Sequence, residues 1–153
     1  MKPMRRGFTI IEIMVVVAIL GIFAGLAAPS MADLLASTAV RGASSDFYAS
    51  LAAARSEAIK RRANAVVAPV GATWNTGWTV KVSGNTFQKV DALKPRVAVA
   101  PSTPTAITYG SNGRLISGSA AQTIKFSDSV RTGVANRCVS VDTNGLPRVR
   151  TGC

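Results

Sequence analysis

The chain has 153 residues, with 18 Lys and Arg against 7 Asp and Glu, a formal net charge of +11, two Cys and no His. That length leaves room for one modest domain with its own core. Lack of histidine removes the commonest acid–base side chain, and two cysteines cannot fill a tetrahedral zinc shell.

The first 29 residues read MKPMRRGFTIIEIMVVVAILGIFAGLAAP. A basic leader (Lys2, Arg5, Arg6) ends at Gly7, and an apolar run of 21 residues, Phe8 to Ala28, follows, interrupted only by Thr9 and Glu12. At ~1.5 Å per residue this run makes about 31 Å of helix, enough to span a bilayer. A secretory signal peptide would carry a shorter apolar core with a small-residue cleavage site after it. Here the small residue precedes the run, so cleavage after Gly7 would remove the charges and keep the helix. The positive leader predicts an N-terminus in the cytoplasm and the remainder outside. A carboxylate in such a run costs about 2 kcal/mol or more unless it is paired or near water, which makes Glu12 a candidate functional residue.

Past Pro29 the helical period continues. Val40, Phe47, Leu51, Ala54, Ala58 and Ile59 define one apolar stripe. The expectation is one long helix from Phe8 to about Arg62, bent or locally melted near Pro29. Lys60-Arg61-Arg62 could extend a basic surface, but it stands where a helix C-terminus favours cations. From Ala65 the period becomes that of strands, predicted at Ala65–Val70, Gly77–Ser83, Thr86–Val90, Arg96–Ala100, Ala106–Tyr109, Arg114–Ile116, Gln122–Ser127, Arg137–Asp142 and Arg148–Thr151. Ser83-Gly84-Asn85, Ser111-Asn112-Gly113 and Thr143-Asn144-Gly145 supply turn chemistry. Pro95, Pro101 and Pro104 mark edges or loops. Trp74 and Trp78 could stack on bases, but their place around Gly77 at a strand start favours core or turn packing. The fold class is α+β, a long helix with antiparallel sheet.

From Met31 onward there are 15 Lys and Arg against 6 Asp and Glu. A basic extracytoplasmic domain points to polyanions such as DNA, anionic glycans or lipopolysaccharide. The alternative is a solvated basic surface that serves solubility. Cys138 and Cys153, in an oxidising compartment, predict a disulfide; two free thiols are the alternative. Closing a loop of about 15 residues contributes roughly 3 kcal/mol in the chain-entropy model. Carboxylates are scattered, Ser and Thr lack a base, and no glycine-rich phosphate loop precedes a helix. The expectation is a protein that is not an enzyme and holds no cofactor or metal.

The segment Arg5-Arg6-Gly7-Phe8-Thr9-Ile10-Ile11-Glu12, with Pro29 ending the first helical stretch, resembles the class III leader of type IV pilins and type II secretion pseudopilins. The resemblance implies that a prepilin peptidase cuts after Gly7 and that Phe8 becomes an N-methylated first residue. It also implies that Glu12 neutralises the N-terminal amine of a neighbouring subunit. Four further segments, in order, resemble the GspH/FimT group of minor pilins and pseudopilins: Ala54 to Arg61, Trp74 to Val80, Ile107 to Arg114, and Arg137 to Arg150. They imply a long N-terminal helix packed on two antiparallel sheets. The corresponding divisions are a cleaved leader (1–7), a transmembrane or filament-core helix (8–28), its continuation (29–62) and a β-rich head with a basic tail (63–153).

Within that group, FimT-type proteins are linked to DNA uptake in natural transformation, with a C-terminal Gly-Arg-x-Arg motif that binds DNA. This chain carries Arg148-x-Arg150 at the matching place, with Leu146-Pro147 inserted after Gly145. In a strand Arg148 and Arg150 would project together, about 6.5–7 Å apart at ~3.3 Å per residue. Their guanidinium forks suit phosphate oxygens. Arg137, Arg131, Lys125 and Arg114 are the neighbouring cations in sequence. The expected function is a minor pilin that binds double-stranded DNA without sequence preference. Expected partners are DNA, the major and other minor pilins, a prepilin peptidase and an inner-membrane assembly platform. The alternative is a structural minor pilin or GspH-like pseudopilin that primes or caps a filament without binding DNA.

Overall fold

The computed structural model describes residues 7–100, 106–116 and 122–153. Lys2, Arg5, Arg6, Pro101 and Pro104 lie outside the described residues, as does the side chain of Pro29. The elements are α1 (Ile10–Arg61), β1 (Ala65–Pro69), β2 (Trp78–Val82), β3 (Asn85–Val90), β4 (Val97–Ala100), β5 (Ile107–Tyr109), β6 (Gln122–Asp128), β7 (Arg137–Val141) and β8 (Pro147–Thr151), with a short 3-10 turn at Trp74–Thr76. The chain divides into two compact units, Met1–Leu35 and Ala36–Cys153.

In the first unit α1 begins with a side-chain cap. The Glu12 amide N–H donates to Thr9 Oγ1 at 3.3 Å. Thr9-x-x-Glu12 has the spacing of a capping box, with Thr9 supplying the cap. The apolar side chains of this stretch are bare, and its mean hydropathy reaches 2.7 with none of that window buried within the protein. A helix apolar on every face belongs in lipid or among other apolar helices. The helix continues through Pro29, so of the bend or local melting expected there, the melting does not occur. A proline removes one ladder bond without ending the helix on either side.

In the second unit Ala36, Val40, Ala43, Phe47, Leu51, Ala54 and Ala58 recur at steps of three or four and are buried. Ile59, expected in this stripe, is 47% exposed. It is one residue beyond Ala58, which turns it about 100° away from the core. Phe47 is central to the packing. Its ring meets Trp74 and Trp78 edge-on, each at 5.1 Å, and Phe126 at 5.6 Å. Such aromatic pairs contribute about 0.5–1.5 kcal/mol each beyond the area they bury. The Trp78 indole N–H donates to Ser50 Oγ at 2.9 Å, which satisfies its polar edge. Both tryptophans are therefore core residues.

Two antiparallel sheets complete the unit. The first has the order β3-β2-β1-β5 and the second β4-β6-β7-β8. The β2–β3 hairpin closes through Ser83 and Gly84, both at positive φ, as a two-residue turn of type I′ requires. The strand expected at Arg114–Ile116 is reduced to a single bridge, Tyr109 with Leu115. The chain reverses too tightly for more, since the Gly110 N–H donates to Arg114 O and the Gly113 N–H to Gly110 O, each at 2.8 Å.

At the end of α1, Arg62 takes positive φ and the Ala63 N–H donates to Ala58 O at 3.1 Å, a left-handed helix stop. Arg61 and Lys60 lie 2.6 and 3.7 Å from Glu57 and hold its carboxyl below the usual range, the Arg61 hydrogen bond foremost. Arg61 also sits over the Phe87 ring at 5.7 Å. Two cations of the Lys60-Arg61-Arg62 cluster are thus engaged within the head.

Candidate functional site

Alternation along a strand and register between strands decide which charges share a face. In β6, Ile124 and Phe126 are buried, so Thr123 and Lys125 point outward. Cys138 of β7 stands opposite Lys125, and Ser140 opposite Thr123. Arg150 of β8 stands opposite Cys138, and Arg148 opposite Ser140. Two adjacent outward rows result, Lys125–Cys138–Arg150 and Thr123–Ser140–Arg148. Directly opposed side chains in such a ladder lie about 4.5–5.5 Å apart at Cβ. Cys138 and Cys153 form a disulfide with Cα atoms 6.2 Å apart, so this cross-link lies within the first row, between Lys125 and Arg150.

The six cations named from the sequence are not all on this face. Lys125, Arg148 and Arg150 share it. Arg137 pairs with Phe126 and Thr151, and so shares the parity of Val139 and Val141 on the core side of the sheet. Arg131 is in the loop after β6, where its backbone N–H donates to Asp128 Oδ1 at 2.8 Å. The Asp128 side chain is fully covered and bound to Arg96 Nε at 2.8 Å. That hydrogen bond holds its carboxyl below the usual range against the opposing effect of burial, with the Arg131 and Val130 amides assisting. Arg114 is exposed on the turn after β5.

This turn meets the β7–β8 turn. Gly145 has φ +78°, and a Cβ there would collide with Gly113 O and crowd the Tyr109 ring. The Asp142 carbonyl accepts the Gly145 N–H at 2.9 Å and its Oδ1 accepts the Leu146 N–H at 3.0 Å. Asp142 Oδ2 is 4.0 Å from Arg148 Nη2, both side chains being solvated. A solvated pair at that distance contributes little and leaves Arg148 available to a ligand.

A groove of about 360 Å³ runs between α1 and the start of β8, lined by Tyr48, Ala52, Arg55, Ser56, Ile59, Leu146 and Pro147. The Arg55 Nε–H donates to Gly113 O at 3.0 Å, which ties α1 to the turn after β5. Sequence reasoning missed this groove, although Tyr48, Ala52, Arg55 and Ile59 recur at helical spacing beside the core stripe. Burial of Tyr109 raises its hydroxyl pKa well above the usual value, so that group stays neutral. Among the described residues no three His, Cys, Asp or Glu side chains converge on a possible metal position. The outward face of the second sheet instead offers three cations and the hydroxyls of Thr123 and Ser140, a donor set suited to phosphate oxygens.

Comparison with known proteins gives two family matches. The family described as type II transport protein GspH matches residues 43–145, and the prokaryotic N-terminal methylation motif matches residues 2–28. The type IV major fimbrial protein FimA of Dichelobacter nodosus, including that of strain VCS1703A, is 52% identical over 40 residues, 26% of this chain and 25% of the relative. The chain thus matches about a quarter of the length of these curated relatives. Two crystal structures of the Pseudomonas aeruginosa PAO1 type IV minor pilin FimU share the fold. One has a TM-score of 0.59 at 21% identity over 74% of this chain and 88% of the other. The second has 0.58 at 22% identity over 74% and 92%.

Proposed function

The chain belongs to the GspH family of minor pilins and pseudopilins, structural rather than enzymatic proteins, and on that premise we propose that it is a type IV minor pilin that binds extracellular double-stranded DNA and supports its uptake in natural transformation. The observation that carries this reading is the placing of Lys125, Arg148 and Arg150 in two adjacent outward rows. Binding would be dominated by phosphate contacts and would carry no sequence preference. In this reading a prepilin peptidase cuts after Gly7, Phe8 is methylated, and Glu12 meets the amine of a neighbouring subunit while Pro29 marks the upper end of the packed segment. The head faces the periplasm from an inner-membrane anchor until an assembly platform incorporates the subunit among major and other minor pilins.

A second reading is a GspH-type pseudopilin that primes or caps a secretion filament without DNA. The family description, type II transport protein, favours it. Fluorescence anisotropy of the chain with short duplex DNA across a salt series separates the two. The DNA reading expects binding that weakens steeply with salt and is largely lost in Arg148→Ala/Arg150→Ala. Absence of binding at low salt by a folded protein would sink it and leave the secretion reading.

A further inference from the structure

We propose that the groove beside β8 is a nucleobase site, so that the head prefers DNA with an unpaired base, at an overhang or single strand, over blunt duplex. This rests on the DNA-binding reading of the adjacent basic face.

A nucleobase has two flat apolar faces and a polar rim. The groove offers matching parts. Tyr48 is 40% exposed, and Ala52, Ile59, Leu146 and Pro147 supply further apolar wall. Arg55 and Ser56 supply polar groups for the rim. Arg55 lines the groove, and its Nε–H bond to Gly113 O ties its guanidinium to the turn after β5. Among the described residues no acidic side chain lines the groove. Its volume, about 360 Å³, lies at the small end of ligand sites, which suits one unstacked base and excludes a base pair.

Charge and continuity favour a nucleotide over an apolar plug from a protein. Pro147 lines the groove, and Arg148, the next residue, points to the opposite face with the other proposed phosphate contacts. β8 is the edge of its sheet. A strand of DNA passing over that edge meets the groove on one side and the guanidinium on the other. Stacking on Tyr48 would be sequence-tolerant, because every base has a π-face.

The test uses the full chain in nonionic detergent. Its anisotropy is compared for blunt duplex, the same duplex with a single-stranded overhang, and single strand. The expectation is about ten-fold tighter binding of the overhang than of blunt duplex, within the range of one stacked base. Tyr48→Ala should remove the preference and leave blunt binding unchanged, while Tyr48→Phe keeps it. Ala52→Leu, which fills the groove while keeping the Tyr48 ring, should also remove it. A fluorescent purine analogue in the overhang should be quenched on binding. Equal binding of blunt and overhang DNA, or a preference that survives both Tyr48→Ala and Ala52→Leu, overturns the base site. If blunt duplex still binds and still needs Arg148 and Arg150, the DNA reading stands without the base site. If no DNA binds at all, the DNA reading fails and this inference with it.

Discussion

Lys125→Ala and Arg137→Ala each delete one cation from neighbouring strands, yet they should behave differently. Lys125 lies in the outward row with Arg150, whereas Arg137 is opposite Phe126 on the core side. Suppose the outward face neutralises three phosphates. The log–log salt slope is then about −2.7, and raising salt from about 50 to 200 mM lowers affinity about forty-fold. Lys125→Ala should bring the slope to about −1.8 and the loss over the same interval to about twelve-fold. Arg137→Ala should leave the slope near its starting value. Anisotropy with short duplex DNA at four or five salt concentrations measures this, with thermal melts to confirm that both variants fold. Lys125 is an outward residue, so its removal should change stability by no more than about 0.5 kcal/mol. An Arg137→Ala slope reduced as much as that of Lys125→Ala, or an unchanged Lys125→Ala slope, would refute the argument from register.

Two further outcomes follow from the packing. Gly145→Ala should destabilise the head by about 2 kcal/mol or more in urea melts, because φ +78° disfavours any side chain and the new Cβ would collide with Gly113 O. The Asp128 carboxyl is held below its ordinary 3.8 by Arg96, so the unfolded chain takes up a proton first. Its contribution is therefore complete above the unfolded pKa, about 4, and is lost as pH falls through the lower folded value; Asp128→Asn should flatten the fall in stability on that acid side in urea melts at stepped pH. Glu57, held down by Arg61, acts in the same direction, so part of the acid dependence should survive in that variant.

β2, β5 and β6 were legible because their buried and more solvated residues alternate, and the turns because Asn and Gly mark them. Register was less legible, since it depends on which strand pairs with which. Arg137 was grouped with Arg148 and Arg150 by nearness in sequence. Its parity with Val139 and Val141 already argued for the other face, and two strands' register turned that into a geometric fact. Ile59 was placed in the core stripe because four-residue spacings tolerate a neighbour. The seven buried apolar positions from Ala36 to Ala58 close that stripe without it. The groove needed tertiary structure, as Tyr48 and Pro147 are separated by most of the head's sequence. The Thr9-x-x-Glu12 cap, by contrast, was readable from four residues.

β8 has little to fix its own register. It is an edge strand, Arg148 and Arg150 are solvated, and on its core side even Val149 is 39% exposed. Burial energy alone therefore discriminates weakly between this pairing and one slipped by a residue. A slip would turn Arg148 and Arg150 toward the core side and remove them from Lys125. The β7–β8 turn opposes it at one end, through Asp142 and the contact of Gly145 with Gly113. The Cys138–Cys153 bond opposes it at the other, because a slip would change the separation that the bond closes in this register, with Cα atoms 6.2 Å apart and Arg150 beside Cys138. In the chain-entropy model a cross-link over about 15 residues contributes about 3 kcal/mol. Its geometric effect is separate: it holds the edge strand in the one alignment that puts three cations on the same face.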